Sequence, residues 1–333
     1  MIEKHKQLEK ILSILPPVET MKVLSEADFY GVSTIIADSL HLPFVPRSLC
    51  GWKHGWLFAE LKYTQQLTGM RVEPKYIVPL KEHEVFLREN GIKAKAAGMP
   101  FLYVDDVETM EITRYKRSLL VMPPHSLPTT NHLWDEDTYA QKINELKSDF
   151  DLIVVCLYYS CIEKNLWIEA FEKYDIPWVA GANSLDKNAL IRMNRLFKSF
   201  EYMTTNSIGS HIVYAAYCGC KVSIYGSYAE YSEKDYKDDT LYKKYPYLLK
   251  HNLRYSSEES VKTHFSYLFS YPSQAKKRVE WAEEQLGKVN KVTLTELAIL
   301  LGWLPSDQFI LYAKKIYFKI RKKIKNIFNS QLQ

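Results

Sequence analysis

Residues 202–226 read YMTTNSIGSHIVYAAYCGCKVSIYG, and the hydrophobic period changes twice within that stretch. The β-prone run 202–205 predicts a strand. Ile212, Val213, Ala215 and Ala216 then give a helix an apolar, small-residue face, which Gly219 stops. At 221–225 a strand resumes, with Val222 and Ile224 as its buried residues. Between the first strand and the helix lies Asn206-Ser207-Ile208-Gly209-Ser210. It supplies hydroxyls, small side chains and free amides at the positive end of a helix dipole, the chemistry that holds a phosphate.

The same alternation extends backward. Residues 152–157 (LIVVCL) are apolar without a break, as in a strand covered on both faces, and 119–122 and 178–180 are further strands. Helical patterns fill 135–147, 163–174 and 187–200. In the first third, 31–37 (GVSTIIA), 42–45 and 76–79 read as strands, 3–15 and 81–90 as helices, and 94–104 as the end of the unit. Beyond 226 a tyrosine-rich, charged segment leads to helices over 273–286, 293–303 and 307–328. Strands alternating with helices predict an α/β protein with two Rossmann-like domains facing a cleft, 1–112 and 113–290, followed by C-terminal helices in 291–333.

Composition excludes several classes. Five cysteines without CxxC spacing read as reduced, buried thiols. No leader-like h-region opens the chain and no apolar run is long enough to cross a bilayer, so a cytoplasmic location is expected. There is no GxGxxG after a first strand, no Walker A sequence, no HExxH and no GxSxG, which disfavours dinucleotide, P-loop, zinc-protease and α/β-hydrolase chemistry. The net charge of +5 is uneven: residues 314–325 hold seven Lys or Arg and no acid. Apart from that segment no basic face with interleaved aromatics is seen, so nucleic acid is not an expected partner.

Ligands of doubly wound sheets bind where strands end and helices begin. His125-Ser126 follows the 119–122 strand, and with the Asn206, Ser207, Gly209 and Ser210 loop it is the expected phosphate site, without a metal. His54, flanked by glycine in Gly51-Trp52-Lys53-His54-Gly55-Trp56, is accessible and has the right ordinary pKa to take a proton from a hydroxyl. Asp38, after the 31–37 run, is the rival base, and Asp105 and Asp106 are weaker ones.

Two α/β units, a cleft and a Ser/Gly loop opening a helix in the second resemble the GT-B class of glycosyltransferases. The 204–226 stretch is similar to the donor-binding unit of bacterial capsule and lipopolysaccharide transferases, with Ser207, Gly209, Ser210, Gly219, Lys221 and Val222 at matching places. MPPHS (122–126) resembles the histidine-bearing strand end of capsule Kdo- and sialic-acid-type transferases, with His125 in the matching position. KHG (53–55) is similar to the HG element of those enzymes and of teichoic-acid polymerases, where the histidine acts on the acceptor. The acidic pair of many retaining members is replaced by Ser207 and Ala215. The resemblance therefore implies an inverting transferase that takes a sugar from a nucleotide-activated donor, CMP-linked or other. The acceptor would be a lipopolysaccharide O-antigen or capsule glycan, and no cofactor or metal is called for. A polyol-phosphate transferase and a non-catalytic assembly scaffold are the alternatives.

The last helix carries Phe309, Ile310, Tyr312, Ile316, Ile320, Ile324 and Phe328 at three- and four-residue spacing among the cations. That composition suits a helix lying in an anionic membrane surface and predicts a peripheral protein at the inner membrane.

Overall fold

The structure is a computed structural model that describes residues 2–70 and 72–330. It is α/β, with two sheets of parallel strands and about half of the chain helical. Strands β1 (Gly51–Trp52), β2 (Tyr76–Val78) and β3 (Ala94–Ala96) form a small parallel sheet in that order. The larger sheet contains β4 (Tyr115–Val121), β5 (Leu152–Leu157), β6 (Trp178–Ala180), β7 (Phe200–Thr205), β8 (Lys221–Ile224) and β9 (Lys276–Lys277). Its order is β6-β5-β4-β7-β8-β9, all parallel except the β9 edge, which is a Rossmann-like arrangement.

Alternation along the central strands explains why both faces are covered. Leu120, Val154, Cys156, Met203 and Val222 enter the main buried cluster, packed under the helices Ala189–Ser199 and Ser210–Tyr217. Their neighbours Leu119, Val121, Ile153, Val155 and Leu157 point the other way, against Tyr139 and Ile143 of Glu136–Asn144 and Phe171 of Ile168–Glu172. Each such side chain contributes about 1.5–3 kcal/mol by leaving water, so the apolar run at 152–157 is stable only between two helical layers. The main cluster does not stop at the larger sheet. It continues through Trp52, Phe101 and Tyr103 of the first unit, and through Leu286, Leu297 and Leu301 near the C-terminus. Leu49 N–H donates to Leu301 O, and the Trp303 indole to Ser48 Oγ, so the first helices after residue 290 pack on the first unit.

Several elements differ from the sequence expectation. The 31–37 run is a helix, Val32–Ser39, not a strand. Its β-branched residues favour a strand locally, but Val32, Ile35 and Ile36 stand at helical spacing and bury together. Residues 42–45 form no strand. The helix expected over 163–174 is broken into Tyr159–Glu163 and Ile168–Glu172, with Asn165 and Trp167 left-handed between them. Residues 94–104 contain only β3 before the 3-10 turn Pro100–Asp106, and 273–286 divides into β9 and the helix Val279–Leu286. The tyrosine-rich segment folds into the helices Thr240–Lys244 and Pro246–Ser256, with Glu258–Phe265 following.

Gly31 caps Val32–Ser39 at φ +82, where a Cβ would lie 1.8 Å from the Lys187 carbonyl oxygen. Around it Tyr30 N–H donates to Ser184 O, and Lys187 N–H to Glu19 O, so the first unit and the loop after β6 meet backbone to backbone here. Gly91, also left-handed at φ +75, has nothing within 4 Å of its Cβ direction. Gly91→Ala is expected to cost about 1–2 kcal/mol, the left-handed penalty alone. Gly31→Ala, which adds a backbone collision, should cost clearly more in urea denaturation. Equal losses would show that the 187 loop yields freely.

Candidate functional site

In the larger sheet the chain moves outward from β4 to β5 and β6, then returns to the other side of β4 as β7. The loops leaving β4 and β7 therefore diverge, and a crevice opens at their carboxyl ends. A cavity of about 330 Å³ lies there. Its floor comes from the loops after the strands: Met122, Pro123 and His125 after β4, Tyr158 after β5, Ala182 after β6, Ser210 and His211 after β7. The first unit closes it with Tyr30, His54, Gly55, Pro100 and Phe101.

The closure is bonded. Trp56 N–H donates to Ser210 Oγ at 2.9 Å, and Tyr214 O–H donates to His54 O at 2.6 Å. Phe101 stacks on Tyr214 with centroids 4.3 Å apart, and the Trp56 indole donates to Gln285 Oε1 at 3.0 Å. These contacts hold the 51–56 loop over the first turn of Ser210–Tyr217. His54 sits between the rings of Phe29 and Tyr30, each with its centroid 5.3 Å away. His125 lies 4.9 Å from Tyr158, and His211 Nε2 shares a hydrogen bond of 3.0 Å with Thr205 Oγ1. Gly209 leaves room for that last ring: a Cβ there would come within 2.9 Å of the His211 imidazole.

The cavity lining contains no Lys, Arg, Asp or Glu among the described residues. Burial pushes His54 down to about 4, with the Lys53 charge adding to it; the nearby Trp52 carbonyl, outside hydrogen-bonding geometry, acts weakly the other way. Burial lowers His211 to about 3, helped by His125, and lowers His125 itself, helped by His132. His125 is itself exposed to solvent. Tyr30 and Tyr214 are pushed up by burial, Tyr30 further by its neighbour Tyr158. At neutral pH the site thus offers three neutral imidazoles, each a donor and an acceptor, and phenol hydroxyls that stay protonated.

Of the residues expected from sequence, His54, His125 and Ser210 share this cavity. Gly209 borders it through His211. Ser126 does not line it: its hydroxyl is buried against Leu127 and Thr130, and the Lys164 ammonium donates to it at 2.9 Å. Asn206 is tied to the following segment, its side-chain amide N–H donating to Ser227 O and its backbone carbonyl accepting from Ala229 N–H. Ser207 is buried beside the Tyr228 and Tyr231 hydroxyls, and Ile208 N–H donates to Tyr228 Oη. The loop is therefore not the open cradle expected. Its amides that remain for an anion are those of Gly209, Ser210 and His211, for which the described residues provide no acceptor. Asp38 is corrected too. Because 31–37 is helical, it lies in the last turn of Val32–Ser39 and not at a strand end, and it lines a separate depression with Val107 and Arg195. His211, Tyr30, Tyr158 and Tyr214 were not singled out from sequence, although His211 adjoins a loop that was.

Among the described residues no group of three or more His, Cys, Asp or Glu is placed to hold a metal, and no helix is long and apolar enough to cross a membrane. All five cysteines are free and buried. Comparison of the chain with protein-family models, with curated proteins and with solved structures finds no match.

The buried histidines fix a pH dependence. Their native pKa values lie below the ordinary 6.5, so as pH falls the unfolded chain takes up protons that the native chain refuses. Their contribution to stability is complete above about pH 6.5 and declines toward pH 4. The slope of the urea midpoint against pH should be shallower in His211→Gln than in the parent chain. Parallel slopes would mean that His211 is not buried as a neutral ring.

Proposed function

We propose that the chain is a glycosyltransferase, moving a sugar from a nucleotide-activated donor to a bacterial surface glycan of the O-antigen or capsule kind. The observation that carries this reading is the convergence of His54 from the first unit with His125 and the Ser210 helix start at the β4–β7 crevice. Three separated sequence motifs meet in one cavity, at the place where open α/β sheets bind ligands.

On this reading the acceptor hydroxyl gives its proton to His54, which is neutral at physiological pH as a base must be. The acceptor oxygen attacks the anomeric carbon as the bond to the donor phosphate breaks. The departing phosphate takes the electron pair, and the His125 ring with the Ser210 and His211 amides receives its charge. Displacement in one step inverts the anomeric carbon and calls on no metal. A CMP-linked acidic sugar is the favoured donor. The acceptor is a glycan carried on lipid, which puts the working protein at the cytoplasmic face of the inner membrane as a peripheral protein.

Calorimetry with CMP, CDP, UDP and GDP tests the binding half: one nucleotide is expected to bind, and His125→Ala should weaken it. In a transfer assay with the matching sugar donor, His54→Ala should lower kcat by about 10²–10⁴-fold while leaving nucleotide affinity within a few-fold. Turnover close to that of the parent would remove His54 as the base. No binding to any of the four nucleotides would remove the donor assignment itself.

A further inference from the structure

The helix Pro305–Ser330 is fastened to the body at its first turn, where Gln308 Nε2 donates to the carbonyls of Arg47 at 3.0 Å and Gly302 at 2.7 Å. Past that point several of its apolar residues are largely exposed. Phe309 is 73% exposed, and Tyr312, Ile316 and Ile320 are each more than half exposed. These four follow one another at three- and four-residue steps, so they share one face of the helix. In a helix of a soluble domain that spacing marks the side packed on a core; here the four residues are more than half exposed. Phe44 and Val45, close in sequence to the anchoring Arg47, are exposed as well. Into the same helix the sequence sets seven Lys or Arg between residues 314 and 325 and no acid.

We propose that this helix is a docking surface for an anionic lipid bilayer, lying among the head groups with its 309–312–316–320 face against the acyl chains. A bilayer of that kind meets both features at once, apolar area for the uncovered face and negative head groups for the cations. A second copy of the chain meets only the first. Pairing two such helices would bring seven cations against seven with no acid in the segment to separate them. The helix is too basic to span the bilayer, so it rests in the interface. The proposal does not depend on the transfer reaction.

The test is co-sedimentation of the full chain with vesicles of phosphatidylglycerol mixed into phosphatidylcholine, and with vesicles of phosphatidylcholine alone, at low and high salt. Binding is expected to the mixed vesicles, to weaken as salt rises, and to be marginal on the neutral ones. The double variant Ile316→Glu, Ile320→Glu should partition to the mixed vesicles at least about tenfold less. Arg321→Glu should bind less at low salt and differ little at high salt. All three substitutions are at exposed residues, so thermal melts should match the parent and separate lost docking from lost folding. Unchanged partitioning of the double variant, equal binding to both vesicle types, or a concentration-dependent dimer without vesicle binding would each overturn the proposal.

Discussion

The site depends on a set of contacts that tie the 51–56 loop to distant elements, among them the hydrogen bond from the Trp56 amide to the Ser210 hydroxyl. The 51–56 loop has little regular structure of its own, since β1 is two residues long. Nothing local would hold His54 over the crevice. Besides the rings of Phe29 and Tyr30, residues more than 150 positions away hold it: Ser210 on the Trp56 amide, Tyr214 on the His54 carbonyl, Gln285 and Trp281 on the Trp56 indole. Each hydrogen bond is worth about 0.5–1.5 kcal/mol and each aromatic pair about as much, so no single one fixes the loop. Together they make the position of His54 a property of the main core and not of its own segment.

The same dependence explains how much of the molecule the sequence discloses. The 202–226 unit and the 152–157 strand were legible because their periods and stops act locally. Gly219, at φ +87, ends its helix where the pattern says, and LIVVCL can be stable only as a doubly covered strand. The 31–37 run misled for the opposite reason. Its β-branched composition speaks for a strand, while the packing of Val32, Ile35 and Ile36 is decided by partners far along the chain. Asp38 was misplaced with it. The break at Asn165 and Trp167 gave no Gly or Pro to read, because two ordinary residues adopt left-handed backbone there.

For the site, the types of residue were legible and their surroundings were not. His54 and His125 could be picked out by their neighbours in sequence, yet nothing in sequence shows that they line one cavity. Ser207 looked like a phosphate ligand because it stands in a Ser/Gly loop before a helix. The structure buries it beside Tyr228 and Tyr231, two of the tyrosines whose abundance composition could count but not place. His211 went unnoticed because a histidine on the second position of a helix has no local signature.

A cavity without formal charge imposes a particular way of handling a phosphorylated ligand. With no Lys or Arg among the described lining residues, the charge that grows on a departing phosphate would have to be met by neutral donors. The imidazoles here are neutral because burial disfavours their charged form, each unit of depression being about 1.4 kcal/mol against protonation. A negative charge entering the same space works against that cost, and works hardest when the charge is concentrated on a departing phosphate. On the proposed reading, the lining would therefore respond most strongly at the moment when the sugar–phosphate bond breaks. The burial that keeps His54 neutral at rest also weakens it as a base, so on the proposed reading the proton it takes is stabilised by the negative charge growing on the departing phosphate. One low-dielectric enclosure would then serve both ends of the transfer, and the Trp56–Ser210 link that closes it would be part of the chemistry through what it excludes.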